Sequence, residues 1–277
     1  MLSDSNARIA AARRLTSRRG RRESGHFLAE GAPAVREALH RPGTVRELFV
    51  TTSAAARHPD LVAAAPAVSE ISDRAAATLS QTVTPQGLVA VCDQLDVALH
   101  RLPAAPRLLA VCVEPNEPGN LGTIVRTADA AGADALLLVG TGTGNAGGAV
   151  DLYNGKTVRA SAGSLFHLPI AVTDWPSARA WLATAGVRIA ATTGSAERAL
   201  PELDLSEPTA WLFGTEAHGL PAEILADLDD GSGVGVGVRV RIPLYGRAES
   251  LNLAAAAAVC LYASAFAQRG TGERRSP

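Results

Sequence analysis

Along the second half of the chain, short apolar runs alternate with segments whose apolar positions recur every three or four residues. The stretches "RLLAVCV" (107–113), "ALLLVG" (135–140), "LPIAV" (168–172), "VRIAATT" (187–193), "TAWLFG" (209–214) and "VRVRIPL" (238–244) have the length and apolar density of strands. Helical stretches lie between them. One opens at Asn120 with apolar residues at 121, 124, 125, 128 and 132; others fall near 158–166, around 178–185 and after Pro221, and an alanine-rich one follows Leu251. Strands too apolar for a solvated face, each followed by a helix, predict a parallel sheet covered on both sides, with ligands at the carboxyl ends of its strands. The first hundred residues read differently. "GHFLAEGAPAVREALHR" (25–41) has helical spacing, "VRELFVT" (45–51) is a strand, and "SEISDRAAATLSQTVTPQGLVAV" (69–91) is a helix, a Pro-Gln-Gly turn and a strand. The prolines of "VALHRLPAAP" (97–106) mark a linker, which divides the chain into a smaller α/β domain, 1–102, and a larger one, 103–277.

With 277 residues the chain has room for two hydrophobic cores, and 47% apolar with 19% charged residues is globular composition. The most apolar stretch, "LNLAAAAAVCLYASAFA" from Leu251, falls short of the roughly 20 residues needed to cross a bilayer, so no membrane span is expected. No apolar run follows the arginine-rich N-terminus, which points away from a secretory signal and towards the cytosol. Cys92, Cys112 and Cys260 are scattered and the six histidines lack ligand spacing, so neither disulfides nor a metal are expected.

The net charge of −1 hides an asymmetry. Residues 1–101 carry a balance of +3 and residues 102–277 a balance of −4. "ARIAAARRLTSRRGRR" (7–22) holds seven arginines and no acid. A solvated helix explains such a run, and phosphate contacts would also need it.

"GTGNAG", Gly142–Gly147, matches a dinucleotide-binding glycine pattern directly after a strand. That device also needs a helix opening at the glycines and an acid about 20 residues on. Turn residues follow instead, and no Asp or Glu occurs between Asp151 and Asp174, so a mobile loop is the better reading and an oxidoreductase the weaker one.

Three stretches carry candidate chemistry. "EPNEPGNLGTIVRTADAAGA" (114–133) places Asn120 as the cap of a helix whose buried stripe turns Arg126 outward beside Asp129. "WLFGTEAHGLP" (211–221) ends a strand in a tight loop holding Gly214, Glu216 and Gly219. "IPLYGRAESLNLAAAAAVCLYASA" (242–265) puts Ser250 and Asn252 at the mouth of a helix. Capping, turn geometry and a surface ion pair account for each one singly.

Taken together and in this order, N-x-G-x-x-x-R, G-x-E-x-x-G-L and I-P-x-x-G-x-x-x-S-L-N, they resemble the SpoU/TrmH branch of the SPOUT methyltransferases. The resemblance extends through "NGKTVRASAGSLFHLPI" (154–170) and, with "FLAEGAPAVREAL" and "TPQGLVAV", into the family's substrate-binding domain. It implies a C-terminal domain with a deep trefoil knot, homodimers with active sites near the subunit interface, and S-adenosylmethionine as cofactor. By motif position the cofactor would meet Gly214, Ile242 and Leu251, with Thr192 nearby. Arg126 corresponds to the catalytic arginine; Asn120, Glu216, Ser250 and Asn252 would support it, Arg18 and Arg19 would contact RNA, and Arg159 would contact RNA phosphate or the methionine carboxylate of the cofactor. The implied reaction is methylation of a ribose 2'-hydroxyl in structured RNA, 23S rRNA first. The alternatives are a tRNA 2'-O-methyltransferase and a non-catalytic ribosome-assembly factor that keeps the knot. The sequence departs from the family pattern at His218 and Gly155.

Overall fold

The protein's computed structural model describes residues 1–140, 151–229 and 237–269. The Gly142–Gly147 pattern lies outside the described residues. In chain order the elements are α1 (Ala7–Arg14), α2 (Arg18–Ser24), β1 (His26–Glu30), α3 (Ala32–His40), β2 (Val45–Val50), α4 (Thr52–Arg57), α5 (Pro59–Ala64), β3 (Val68–Glu70), α6 (Asp73–Leu79), β4 (Leu88–Asp93), β5 (Leu108–Val113), α7 (Pro118–Ala130) and β6 (Ala135–Gly140). After these come α8 (Gly155–Ala160), β7 (Ile170–Asp174), α9 (Trp175–Thr184), β8 (Arg188–Thr192), β9 (Thr209–Phe213), α10 (Ala222–Asp229), β10 (Gly237–Val240) and α11 (Leu253–Arg269). The chain folds as two compact units, Met1–Leu95 with Asp151–His167, and Asp96–Val150 with Leu168–Pro277. Residues 151–167 thus pack with the N-terminal unit, although they follow the linker in sequence.

The first unit is built on a four-stranded sheet in the order β1-β4-β2-β3, with only the β2–β3 pair parallel. Ile9, Leu15, Leu28, Phe49, Ile71, Leu79 and Val89 form a core on it. The helical reading of 25–41 holds only for its second part. His26–Glu30 pairs as a strand with β4, Phe27 opposite Cys92 and Ala29 opposite Ala90. Gly31, at φ 90°, separates strand from helix, and Pro33 in the first turn of α3 fixes where the helix begins. The arginine run is not uniformly solvated either. Arg21 is buried; its Nη2 lies 2.6 Å from Asp151 Oδ2, and its Nη1 donates to the Leu15 carbonyl at 2.7 Å. That residue ties segment 151–167 to the unit and is not available to a phosphate.

The second unit holds a six-stranded, wholly parallel sheet in the order β10-β8-β9-β5-β6-β7. Every residue of β5, β6 and β9 is buried, which is why these strands read as continuous apolar runs. On one face Leu109, Val111, Val113, Leu137 and Leu212 pack against Trp175, Ala178 and Leu182 of α9 and Ile224 of α10. The alternate residues point to the opposite face, where α11 packs on α7, β5 and β9. Alanines at 254 and 257 allow that close approach, and the buried Trp211 Nε1–H donates to Ser264 Oγ at 2.9 Å.

One expectation for α7 needs correction. The helix starts at Pro118, two residues before the predicted cap, and its cap is Glu117, whose carboxylate accepts from Gly119 N at 3.2 Å. Proline suits the first helical turn because its missing N–H would have no partner there. Asn120 therefore sits inside the first turn with its amide free to reach elsewhere.

Ser264→Ala removes the acceptor of a fully buried indole. It is expected to lower unfolding free energy by about 1–3 kcal/mol in a denaturant titration, the cost of an unsatisfied buried donor; a change within error would mean that the bond contributes nothing.

Candidate active site

The three stretches singled out in the sequence converge in the second unit. β9 runs into a tight loop in which Thr215 and Gly219 exchange backbone hydrogen bonds, each 2.9 Å, and His218 N donates to Thr215 Oγ1 at 3.1 Å. The glycines here have distinct reasons. A Cβ on Gly214 would lie 2.2 Å from the Gly219 carbonyl group, while Gly219 adopts φ 66°. The loop thereby projects Glu216.

Glu216 Oε1 accepts from Asn120 Nδ2 at 2.6 Å and from Asn252 Nδ2 at 2.8 Å, with Leu253 N at 3.4 Å. Asn252 Nδ2 also reaches Asn120 Oδ1 at 3.2 Å. Asn252 uses both ends of its amide, because its Oδ1 caps α11 by accepting from Ala254 N at 3.0 Å and Ala255 N at 3.3 Å. Capping is therefore real, and it is combined with a tie between residues 132 positions apart in sequence.

Beside this triangle, at the carboxyl ends of β8, β9 and β10, opens a cleft of about 440 Å³. Thr192, Ile242, Ser250, Leu251, Glu216 and Asn252, all named as candidates above, line it. Thr192 is held by a 2.8 Å hydrogen bond from its hydroxyl to the Leu212 carbonyl. Gly214 does not line the cleft; it is buried behind the wall and allows the loop to close. The sequence reading missed Thr193, Gly194, Leu244 and Glu249, which also line it. Glu249 stands within the third stretch, next to Ser250, and that adjacency was the available signal. No Lys, Arg or His is among the lining residues, and the two carboxylates are those of Glu216 and Glu249.

Arg126 lies on the exposed face of α7, six residues beyond Asn120 or about 9 Å along the helix axis. It is not among the cleft's lining residues and has no ion-pair partner among the described residues. The three arginines expected to meet RNA belong to the first unit. Arg18 has no ion-pair partner among the described residues, whereas Arg19 Nε sits 2.7 Å from Glu23 Oε1 and holds that carboxyl below its ordinary range. Arg159 Nη1 lies 3.4 Å from Glu30 Oε2, a carboxylate only 7% exposed.

Other chemistries find no support. Burial pushes the thiols of Cys112 and Cys260 up to about 12, which leaves both protonated and unreactive at neutral pH. Among the described residues no group of three or more His, Cys, Asp or Glu is placed to hold a metal ion, and no helix is long and apolar enough to cross a membrane.

The family model "SpoU rRNA Methylase family" matches residues 107–262, and the model "MRM3-like substrate binding domain" matches residues 6–90. The chain is 35% identical to the Bacillus subtilis 23S rRNA (guanosine(2553)-2'-O)-methyltransferase RlmP, over 94% of this chain and 96% of that protein. It is 32% identical to a 23S rRNA (uridine(2479)-2'-O)-methyltransferase of Streptomyces viridochromogenes, over 96% of each. Among solved structures, the SpoU methyltransferase AviRb of Streptomyces viridochromogenes in complex with AdoMet superposes with a TM-score of 0.81 at 28% identity, covering 97% of this chain and 100% of that one. The AdoMet-bound rRNA methyltransferase of Sinorhizobium meliloti gives a TM-score of 0.78 at 29% identity, covering 95% and 96%.

Asn252→Ala is expected to cost about 0.5–2 kcal/mol of stability through loss of the α11 cap. In a double-mutant cycle with Glu216→Ala, followed by chemical denaturation, the two changes should be non-additive by at least about 0.5 kcal/mol. Strict additivity would show that the two side chains are not coupled in solution.

Proposed function

The chain belongs to the SpoU rRNA methylase family, and from that premise we propose that it uses S-adenosylmethionine to methylate a ribose 2'-hydroxyl in structured RNA, 23S rRNA being the substrate. The observation that carries this reading is the meeting of Asn120, Glu216 and Asn252 beside a cleft in which, among the described residues, the ionisable side chains are carboxylates.

The cleft suits the cofactor. Its volume falls within the range of about 300–1,000 Å³ usual for small-molecule sites. Val240, Ile242, Leu244 and Leu251 offer apolar wall for a purine, and a donor set without bases suits a ligand of net positive charge. When bound, S-adenosylmethionine supplies a methyl group already made electrophilic by its sulfonium, which leaves alignment and an activated oxygen to the protein.

Each side chain has a proposed task. The Asn120–Glu216–Asn252 triangle holds the loops that wall the cleft, and Ser250 offers a hydroxyl to the nucleotide. Gly214 acts through the backbone, letting Thr215 and Gly219 close on each other. Arg126 is not a general base, because a guanidinium does not deprotonate in a protein. Exposed and unpaired, it is free to grip a phosphate in a bidentate fork and to stabilise charge developing on the 2'-oxygen. The proton then passes to phosphate or water. Arg18 and Arg19 are proposed phosphate contacts; Arg19 would exchange Glu23 for RNA at little loss, since an exposed pair is weak. Arg159 would serve RNA while balancing the buried Glu30 carboxylate.

We also assign 103–277 as the knotted catalytic domain, apart from its segment 151–167, which packs with the first unit, 1–102 as the RNA-binding domain, the cytosol as location, and a homodimer as the working form. The outward face of α11 supports the last. Val259, Tyr262 and Phe266 recur at helical spacing with exposures of 42%, 36% and 65%, and the two rings lie 5.6 Å apart, tilted by 52°. An apolar stripe of this kind on a soluble helix marks an interaction surface.

Incubation with 23S rRNA and tritium-labelled donor should transfer label to ribose 2'-oxygens, mapped by resistance to alkaline cleavage; no transfer to any rRNA would favour the non-catalytic alternative. Arg126→Ala should cut transfer by on the order of 10² or more while leaving donor affinity and melting temperature unchanged, and full turnover by that variant would reject its role. Phe266→Glu should shift the protein to monomer in sedimentation velocity; an unaltered dimer would place the interface elsewhere.

A further inference from the structure

We propose that Glu249 makes the cleft selective for the charged donor over the neutral product, so that spent cofactor is released in favour of fresh. The inference rests on the methyltransferase reading above and deepens it at one residue.

The argument begins with the two carboxylates of the cleft, which are not equivalent. Glu216 Oε1 already accepts from Asn120, Asn252 and the Leu253 amide, so its charge is spread into a structural network. Glu249 lines the same cleft, is exposed, and has neither hydrogen-bond nor ion-pair partner among the described residues. Arg247, two residues earlier, is not among the lining residues, and no other basic side chain is. An unpartnered carboxylate on a cleft wall whose described lining holds no basic side chain is a preformed counter-charge.

The ligand's charge changes during the reaction. S-adenosylmethionine carries a sulfonium, an ammonium and a carboxylate, a net charge of plus one. Methyl transfer breaks the S–CH3 bond and forms an O–CH3 bond; sulfur keeps the electron pair, and the hydroxyl proton leaves. S-adenosylhomocysteine is therefore neutral overall. Everything else in the two molecules is shared, so only a group that senses the sulfonium charge can tell them apart electrostatically. Glu249 is the cleft residue free to do so, and being uncommitted it can do so without rearranging the triangle.

Isothermal titration of the full-length protein with S-adenosylmethionine, S-adenosylhomocysteine and sinefungin tests this, sinefungin carrying an amine-borne positive charge near the sulfur position. Wild type should bind both cations more tightly than the thioether. Glu249→Gln, which keeps size and removes charge, should shrink that preference by about fivefold, the effect of one unit charge at about 4 Å in water-like surroundings. Glu249→Asp should retain most of it, and the melting temperature of both variants should equal that of wild type, because the side chain makes no hydrogen bond or ion pair among the described residues. An unchanged preference in Glu249→Gln overturns the proposal. So does an equal loss for all three ligands, which would assign the carboxylate to the shared ribose or amino-acid portion. Failure of wild type to bind any of them would instead sink the cofactor assignment itself.

Discussion

One carboxylate oxygen, Glu216 Oε1, is the point on which the site depends. It receives two side-chain amides, from the first turn of α7 and from the cap of α11, and so joins three segments that the sequence scatters over 132 residues. Each bond is close to water, and none of them alone is worth more than about 1–3 kcal/mol. Their effect is geometric. Asn120 and Asn252 are both anchored on helices buried against the same sheet, so a shared acceptor needs to fix only the short loop between Gly214 and Gly219.

That economy is possible because the sheet beneath is fully buried. β5, β6 and β9 expose no residue, and helices cover both faces, so the strand ends cannot drift relative to one another without disrupting a close-packed core. The alanine-rich composition of α11 follows from its place: small side chains let it lie against α7 and the sheet, and the polar anchors it carries, Asn252 and Ser264, are each given a specific partner. A cleft at the carboxyl ends of parallel strands is where such a sheet leaves room for a ligand.

Much of this was legible in the sequence, for identifiable reasons. The all-parallel sheet showed because doubly covered strands must be apolar throughout, and the three stretches that meet in the second unit stood out because their order resembles a known family, although backbone geometry alone explains some of their residues. Gly214 and Gly219 are examples, one required by a 2.2 Å approach and the other by a left-handed φ. What failed to show was non-local. "HFLAE" carries helical spacing, yet pairing with β4 overrides it. The start of α7 lies three residues before the expected one: Asn120 has the chemistry of a strong cap, but the capping role falls to Glu117 ahead of a helix-starting proline. Nothing near Arg21 reveals that it is turned inward, since its partner Asp151 is 130 residues away. Glu249 escaped notice because a charged residue in a loop is ordinary until the absence of bases around it is known.

The distribution of charge gives the arrangement its functional sense. The chain is nearly neutral overall, but a donor that carries a positive charge and an RNA that carries a negative one per phosphate cannot share a single electrostatic environment. The protein separates them by residue. Among the described residues, the lining of the cleft proposed for the donor holds carboxylates and no basic side chain, while Arg18 and Arg126, which have no ion-pair partner there, are exposed and outside it. Had Arg126 lined the cleft, it would have repelled the sulfonium that it is proposed to help discharge; had Glu249 stood on the exposed face of α7, it would have repelled the phosphate. A guanidinium is well matched to this division, because the task proposed for it is to remain a fixed positive charge for the backbone while the reacting oxygen gives up a proton elsewhere.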